Sequence, residues 1–221
     1  MKWIRIIVIL SVFFNVTACA QQARPAFWKD IQDFKKKDSV SFPAAGQILL
    51  VGSSSLTKWT DVQNYFPGYP ILNRGFGGST LTDVIRYADD IILPYKPKQI
   101  IIYCGENDFA SDEKLQPAEV AERFYTLFNI IRKKYKKVPV AFVSMKPSPS
   151  RTHLMPKYVV ANGMIKAFLQ KKKKTAFIDV YPAMLNSDGS PMQDIFVEDN
   201  LHMNAKGYAI WQKIIAPYLI R

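Results

Sequence analysis

Five short, mainly apolar runs decide what this chain can fold into: residues 47–51, 71–73, 99–103, 140–144 and 176–180. None alternates polar with apolar residues, as a strand with one wet face would. Such runs read as strands buried on both sides, which form parallel sheets covered by helices on both faces. Stretches with helical periodicity lie between them. Residues 81–93 carry Val84, Ile85, Ala88, Ile91 and Ile92 on one broad face. Residues 117–134 open on a proline suited to a first helical turn and present Val120, Phe124, Leu127, Ile130 and Ile131. Residues 159–169 and 205–219 read as two more helices, and Phe27, Trp28, Ile31 and Phe34 recur at helical spacing ahead of the first strand. Ligands of parallel sheets bind beyond the carboxyl ends of the strands, so the chemistry is expected there.

The 221 residues suit one domain, and a composition 48% hydrophobic and 22% charged excludes a disordered chain. A formal charge of +12 raises the question of a nucleic-acid partner. The basic residues, however, gather in runs at 35–37, 132–137 and 171–174, each near the end of an expected helix. Cations there complement the helix dipole and solvate the chain. No basic motif interleaved with aromatics accompanies them, so nucleic acid is not expected. An anionic substrate or surface polymer would still be drawn to the protein.

The first 20 residues read as a targeting leader. Lys2 and Arg5 precede an apolar run at residues 6–14 that is short for a bilayer span and is followed by small residues. Two parses of its end stay open. Val16-Thr17-Ala18-Cys19 resembles a bacterial lipobox, which would lipidate Cys19; Ala18-Cys19-Ala20 is an A-x-A cleavage site, which would discard it. Either route predicts an extracytoplasmic protein, as a periplasmic or outer-membrane lipoprotein or a secreted one. Lipid on Cys19 is the one membrane attachment expected. A single domain over residues 21–221 remains. Its lone cysteine, Cys104, follows an apolar run and is expected to be a buried thiol without a catalytic role.

Polar residues cluster after the predicted strands. The first strand runs into Gly52-Ser53-Ser54-Ser55-Leu56, the second into Asn73-Arg74-Gly75-Phe76-Gly77-Gly78-Ser79, and the third into Gly105-Glu106-Asn107-Asp108. Asp199-Asn200-Leu201-His202 stands near the C-terminus. Serine hydrolysis needs a nucleophile, a base, a residue that orients the base, and donors for the developing oxyanion. The two histidines are His153, in an expected surface loop, and His202, which has Asp199 three positions earlier to fix its tautomer. A glycine-rich turn lets a backbone N–H approach a ligand closely, so Gly78, the Ser54 N–H and the Asn107 amide are candidate oxyanion donors. Each also has a plain structural reading, as turn former or helix cap.

These four blocks, in this order, resemble the SGNH hydrolases, the GDSL esterase and lipase family, over residues 47–211. The resemblance implies a flavodoxin-like three-layer α/β/α sandwich with a five-stranded parallel sheet. It implies Ser54 as nucleophile, Asp199 and His202 completing a catalytic triad, and Gly78 and Asn107 in the oxyanion hole with the Ser54 N–H. Two departures stand out. Ser53 replaces the usual aspartate of the nucleophile block, and Asn200 replaces the glycine that commonly follows the aspartate of the last block. The Gly-Ser-Ser-Ser form resembles one branch of bacterial members.

The expected activity is hydrolysis of ester bonds through an acyl-enzyme, with short acyl esters on carbohydrates as substrates and no metal or other cofactor. Trp59, Arg74 and Arg151 are candidate substrate contacts, with Trp59 as core and Arg74 as a partner of Glu106 or Asp108 the alternatives. Two other functions stay open: a sugar O-acyltransferase using the same residues, and a non-catalytic carbohydrate-binding lipoprotein.

Overall fold

A computed structural model describes residues 24–221; the leader expected at residues 1–20, with Cys19, lies outside them. Strands β1 (Ile48–Gly52), β2 (Ile71–Gly75), β3 (Gln99–Tyr103), β4 (Val140–Val143) and β5 (Thr175–Ile178) form one sheet in the order β2-β1-β3-β4-β5. Every pairing is parallel. That is the flavodoxin-like order, with its switch point between β1 and β3.

The strand pleat divides the core in two. Leu49, Val51, Ile100, Ile102 and Phe142 enter one layer; Ile48, Leu50, Ile101, Tyr103 and Val143 enter the other. On the first face pack α1 (Trp28–Val40), α4 (Leu81–Arg86), α5 (Ala88–Ile91), α7 (Pro117–Lys134) and α8 (Met155–Gln170), through Ile31, Val84, Ile91, Phe124 and Ile165. The second face is covered by α2 (Ser54–Thr57), α3 (Val62–Tyr65) and α9 (Ala205–Ile215), through Leu56, Val62, Trp211 and Ile215. The short α6 (Glu106–Ser111) follows β3. Both faces are thus covered, which is why the strand sequences show no alternation.

Helix lengths differ from the periodicity in three places. The helix expected over residues 81–93 breaks at Tyr87 (φ −102°, ψ 12°), whose ring packs on Phe76 and whose hydroxyl donates to the Ala26 carbonyl at 2.6 Å. The last helix stops at Ile215 and continues as a single 3₁₀ turn, because Pro217 has no N–H to extend it. By contrast, α8 starts four residues earlier than expected, with Pro156 in its first turn, where a missing N–H does no harm. The basic runs do lie at or near helix ends. Arg132, in the last turn of α7, donates to the carbonyls of Tyr135, Val138, Lys173 and Lys174, and so ties two basic segments together.

Gly52 and Gly163 give opposite expectations. Gly52 has φ 146°, and a Cβ there would sit 1.7 Å from the Tyr103 carbonyl oxygen. Gly163 lies exposed within α8, with nothing within 4 Å of the same added atom. Gly52→Ala should lose about 4 kcal/mol or more, or fail to fold. Gly163→Ala should gain roughly 0.5–1 kcal/mol, read as a higher urea midpoint at unchanged slope.

Candidate active site

The nucleophile block turns from strand to helix within two residues. Gly52 ends β1, Ser53 is extended (φ −100°, ψ −158°), and Ser54 opens α2. Ser53 is only 3% exposed and Ser55 2%, whereas Ser54 is half-buried and open to solvent. The Ser53 N–H is used on the Tyr103 carbonyl at 3.0 Å. Among these three serines, a substrate could reach only Ser54. The replacement of aspartate by Ser53 therefore leaves a small buried residue beside the nucleophile candidate.

His202 completes the contact across 148 positions of sequence: its Nε2 lies 2.9 Å from Ser54 Oγ. Its Nδ1 lies 2.6 Å from Asp199 Oδ2. The other Asp199 oxygen accepts the backbone N–H groups of Leu201 (2.9 Å) and His202 (2.8 Å). Asn200 between them takes φ 55°, so asparagine supports the left-handed turn for which glycine is the commoner choice. Ser150 docks this loop through two bonds to the Asn200 carbonyl, from its N–H at 3.1 Å and its Oγ at 3.0 Å. Asn204 then caps α9 through bonds to the N–H groups of Lys206 and Gly207. His153 lies elsewhere, exposed and 3.4 Å from Glu113.

Partial burial tends to raise the Asp199 carboxyl, but the hydrogen bonds from the His202 ring and from the His202 and Leu201 N–H groups, with the imidazole charge, bring it down to about 2. Asp199 is therefore anionic through the neutral range, and its second oxygen keeps the imidazole aligned on Ser54.

The glycine block hooks back onto the same strand end. The Gly52 carbonyl accepts from the Phe76 N–H (2.9 Å) and from Ser79 Oγ (3.3 Å). Gly78 adopts φ 85°, a conformation open to glycine, and Gly77 comes close enough that a Cβ on it would lie 3.8 Å from Ser54 Cβ. Among the described residues, neither the Ser54 nor the Gly78 N–H donates to a protein acceptor. Asn107, on α6, donates through Nδ2 to the Ser79 carbonyl at 3.1 Å, which ties the asparagine block to the glycine block.

Several side chains near the site have partners that the sequence did not indicate. Asp108 is fully buried and accepts from the Leu81 N–H at 2.9 Å and from Arg123 Nη1 at 2.7 Å, so it straps α4 and α7 to the β3 turn. Burial raises its carboxyl despite those donors. Lys146 is fully buried, 3.5 Å from Glu106 Oε1, while the other Glu106 oxygen accepts from the Tyr103 hydroxyl at 2.5 Å. Burial lowers the Lys146 ammonium. Asp108 stood inside a recognisable block, but its partner Arg123 lies 15 residues on, and no local pattern marks such a pairing. Cys104 is buried as expected, and burial pushes its thiol well up.

The three candidate substrate contacts separate. Trp59 is 1% exposed and stacks on Tyr208 with ring centroids 4.8 Å apart, so no sugar can reach its face. Arg74 is 6% exposed and turned away from the site. It pairs with Asp38 and donates to the Tyr95 hydroxyl at 2.7 Å, so its partner is neither Glu106 nor Asp108. Both assignments as substrate contacts are corrected: β2 aims the Arg74 side chain, and the turn after α2 the Trp59 ring, into the core layers. Arg151 does reach the site, where its Nη1 donates to Asn107 Oδ1 at 3.0 Å.

Two outcomes follow. His202→Ala should let the Asp199 midpoint rise from about 2 towards the ordinary carboxylate value, read by carboxyl-carbon NMR. The charge-dependent stability of this loop is then fully present above about pH 4 in the native protein and lost as pH falls towards 2. Arg74→Ala should leave the half-buried Asp38 with the Tyr95 hydroxyl but without its cation and lower stability by about 3 kcal/mol, with KM for any ester unchanged.

The comparisons agree with this architecture. The model of the GDSL-like lipase/acylhydrolase family matches residues 49–210. A Streptococcus pneumonia protein, provisionally described as a platelet activating factor, superposes with a TM-score of 0.76 at 19% identity, over 87% of this chain and 92% of its own. A GDSL-like lipase from Bacteroides thetaiotaomicron gives 0.71 at 16% identity, covering 85% and 96%. A carbohydrate esterase family 3 member from Talaromyces cellulolyticus gives 0.61 at 16% identity, covering 78% and 95%. No curated protein matches the sequence. At these identities the structures speak for the fold, and the family match, spanning well over half the chain, assigns the activity class: this chain belongs to the GDSL-like lipase/acylhydrolase family and is an ester-hydrolysing enzyme.

Proposed function

We propose that the chain is an exported serine esterase that removes short acyl groups, acetyl foremost, from carbohydrates. The observation that carries the mechanism is the continuous Asp199–His202–Ser54 line, at 2.6 Å and 2.9 Å. Ser54 Oγ attacks the ester carbonyl while its proton passes to His202 Nε2. The carbonyl electron pair moves onto oxygen, where the Ser54 N–H, the Gly78 N–H and Asn107 Nδ2 receive it. Collapse breaks the bond to the alcohol, which leaves with the proton from His202. Water then attacks the acyl-Ser54 ester with His202 again as base, releasing the acid and restoring the serine.

Three features support the finer parts of the reading. The leader at residues 1–20 favours export, where polymeric and surface esters are met. The depression flanking Asp199, lined by Phe196, Val197, Glu198, Asp199 and Asn204, is open to solvent, which suits a short acyl group better than a long chain that needs enclosing. Fold neighbours include the carbohydrate esterase named above and an acetyl esterase, at 16% and 15% identity.

The test is hydrolysis of 4-nitrophenyl acetate and of acetylated xylan, with released acetate measured directly. Ser54→Ala should lower kcat on the order of 10⁶-fold and Asp199→Asn on the order of 10⁴-fold. Ser53→Ala and Ser55→Ala should retain most activity. Wild-type rates in Ser54→Ala would sink the mechanism. Acetate appearing on an added sugar, in place of free acetate, would favour the acyltransferase, and binding without turnover the carbohydrate-binding protein.

A further inference from the structure

An asparagine used as an oxyanion donor has a weakness that backbone N–H groups lack: its amide can turn over. If it does, it presents a carbonyl oxygen to the developing negative charge. At Asn107 both ends of the amide are engaged. Nδ2 gives one hydrogen to the Ser79 carbonyl at 3.1 Å, and Oδ1 accepts from Arg151 Nη1 at 3.0 Å. A turned amide would set donor against donor at Arg151 and acceptor against acceptor at Ser79. Ser79 Oγ is itself tied to the Gly52 carbonyl, so that acceptor is held by the strand end next to Ser54.

The partner of Arg151 points the same way. Arg74, Arg86 and Arg123 each lie on a carboxylate, at Asp38, Asp83 and Asp108. Arg151 instead donates to a neutral amide. Its backbone breaks the surrounding 3₁₀ segment, with φ −128° and ψ 31°, and its N–H is held by the Ser148 carbonyl at 3.1 Å. The fully buried Tyr158 hydroxyl lies near the same guanidinium and has no hydrogen-bond partner among the described residues. A cation on Oδ1 polarises the amide and strengthens the remaining Nδ2 hydrogen as a donor.

We propose that Arg151 is the positioning residue of the oxyanion hole: its guanidinium locks the Asn107 amide with Nδ2 towards the reacting carbonyl and makes that donor stronger. This rests on the reading of Asn107 as an oxyanion donor. The work is done when charge develops on the substrate oxygen, so it should appear in kcat and leave substrate binding alone.

The experiment is a double-mutant cycle on Arg151→Met and Asn107→Ala, with kcat and KM measured on 4-nitrophenyl acetate and folding checked by thermal unfolding. Asn107→Ala should lower kcat by roughly 10² to 10³-fold. Arg151→Met should lower it by about 10 to 10²-fold with KM within twofold. Adding Arg151→Met to Asn107→Ala should cost little more, because the residue being positioned is gone. Arg151→Lys, which keeps charge but not the fork, should fall between wild type and Arg151→Met, and it carries the test if the methionine variant does not fold. Overturning results are an unchanged kcat in the folded Arg151 variants, a rise in KM in their place, or a full multiplicative loss in the double variant; the last two would make Arg151 a substrate contact. Wild-type kcat in Asn107→Ala would instead remove the oxyanion reading itself, whatever Arg151 does.

Discussion

The close approach of β1 to β3 at Gly52 and Tyr103 is the constraint from which the site is built. Parallel pairing sets these two residues opposite one another, and only a residue without a side chain fits, since a Cβ would strike the Tyr103 carbonyl. The same carbonyl accepts the Ser53 N–H, and the Gly52 carbonyl accepts from Phe76 and Ser79. Strand end, nucleophile turn and glycine turn are thus bonded through one pair of peptide groups. At the switch point of a parallel sheet the loops on either side diverge, and the opening between them is where Ser54 emerges.

Around that opening, loops distant in sequence are joined by polar groups, buried at Asp108, half-buried at Asn107 and exposed at Ser150. Asp108 holds the start of α4 and, through Arg123, α7; Asn107 holds Ser79; Ser150 holds Asn200 in the loop that brings His202 over Ser54. Polar groups removed from water must find partners, and each of these bonds has few geometries that satisfy both ends. They supply the positional accuracy that acyl transfer requires and that apolar packing alone does not give. Lys146, fully buried beside Glu106, belongs to the same layer, and burial weakens its hold on its proton.

The strong positive charge has a different place in the molecule. Lys133, Lys134 and the 171–174 run lie where α7 and α8 end, and Arg132 spends its guanidinium on four carbonyls there. These are the ends of the helices that lead into β4 and β5, whereas Ser54 and Asn107 follow the carboxyl ends of β1 and β3. Net charge is therefore a poor guide to what the site binds; the local groups are Asp199, Asn107 and Arg151.

The sequence by itself determined the strands, most of the helix positions and the chemical groups available, because burial on two faces leaves a periodicity that is read over a few residues. It also determined the order of the four blocks, and with it the family. Tertiary structure decided which groups meet. Three adjacent serines are alike in sequence, and only the turn after Gly52 buries two and exposes Ser54. Trp59 and Arg74 carry side chains fit for a sugar or an anion, yet Tyr208, Asp38 and Tyr95 occupy them. Arg151 lies 44 positions from Asn107 and has no local mark of that contact. Periodicity reports a residue's own environment, whereas the choice of partner depends on packing between layers far apart in the chain.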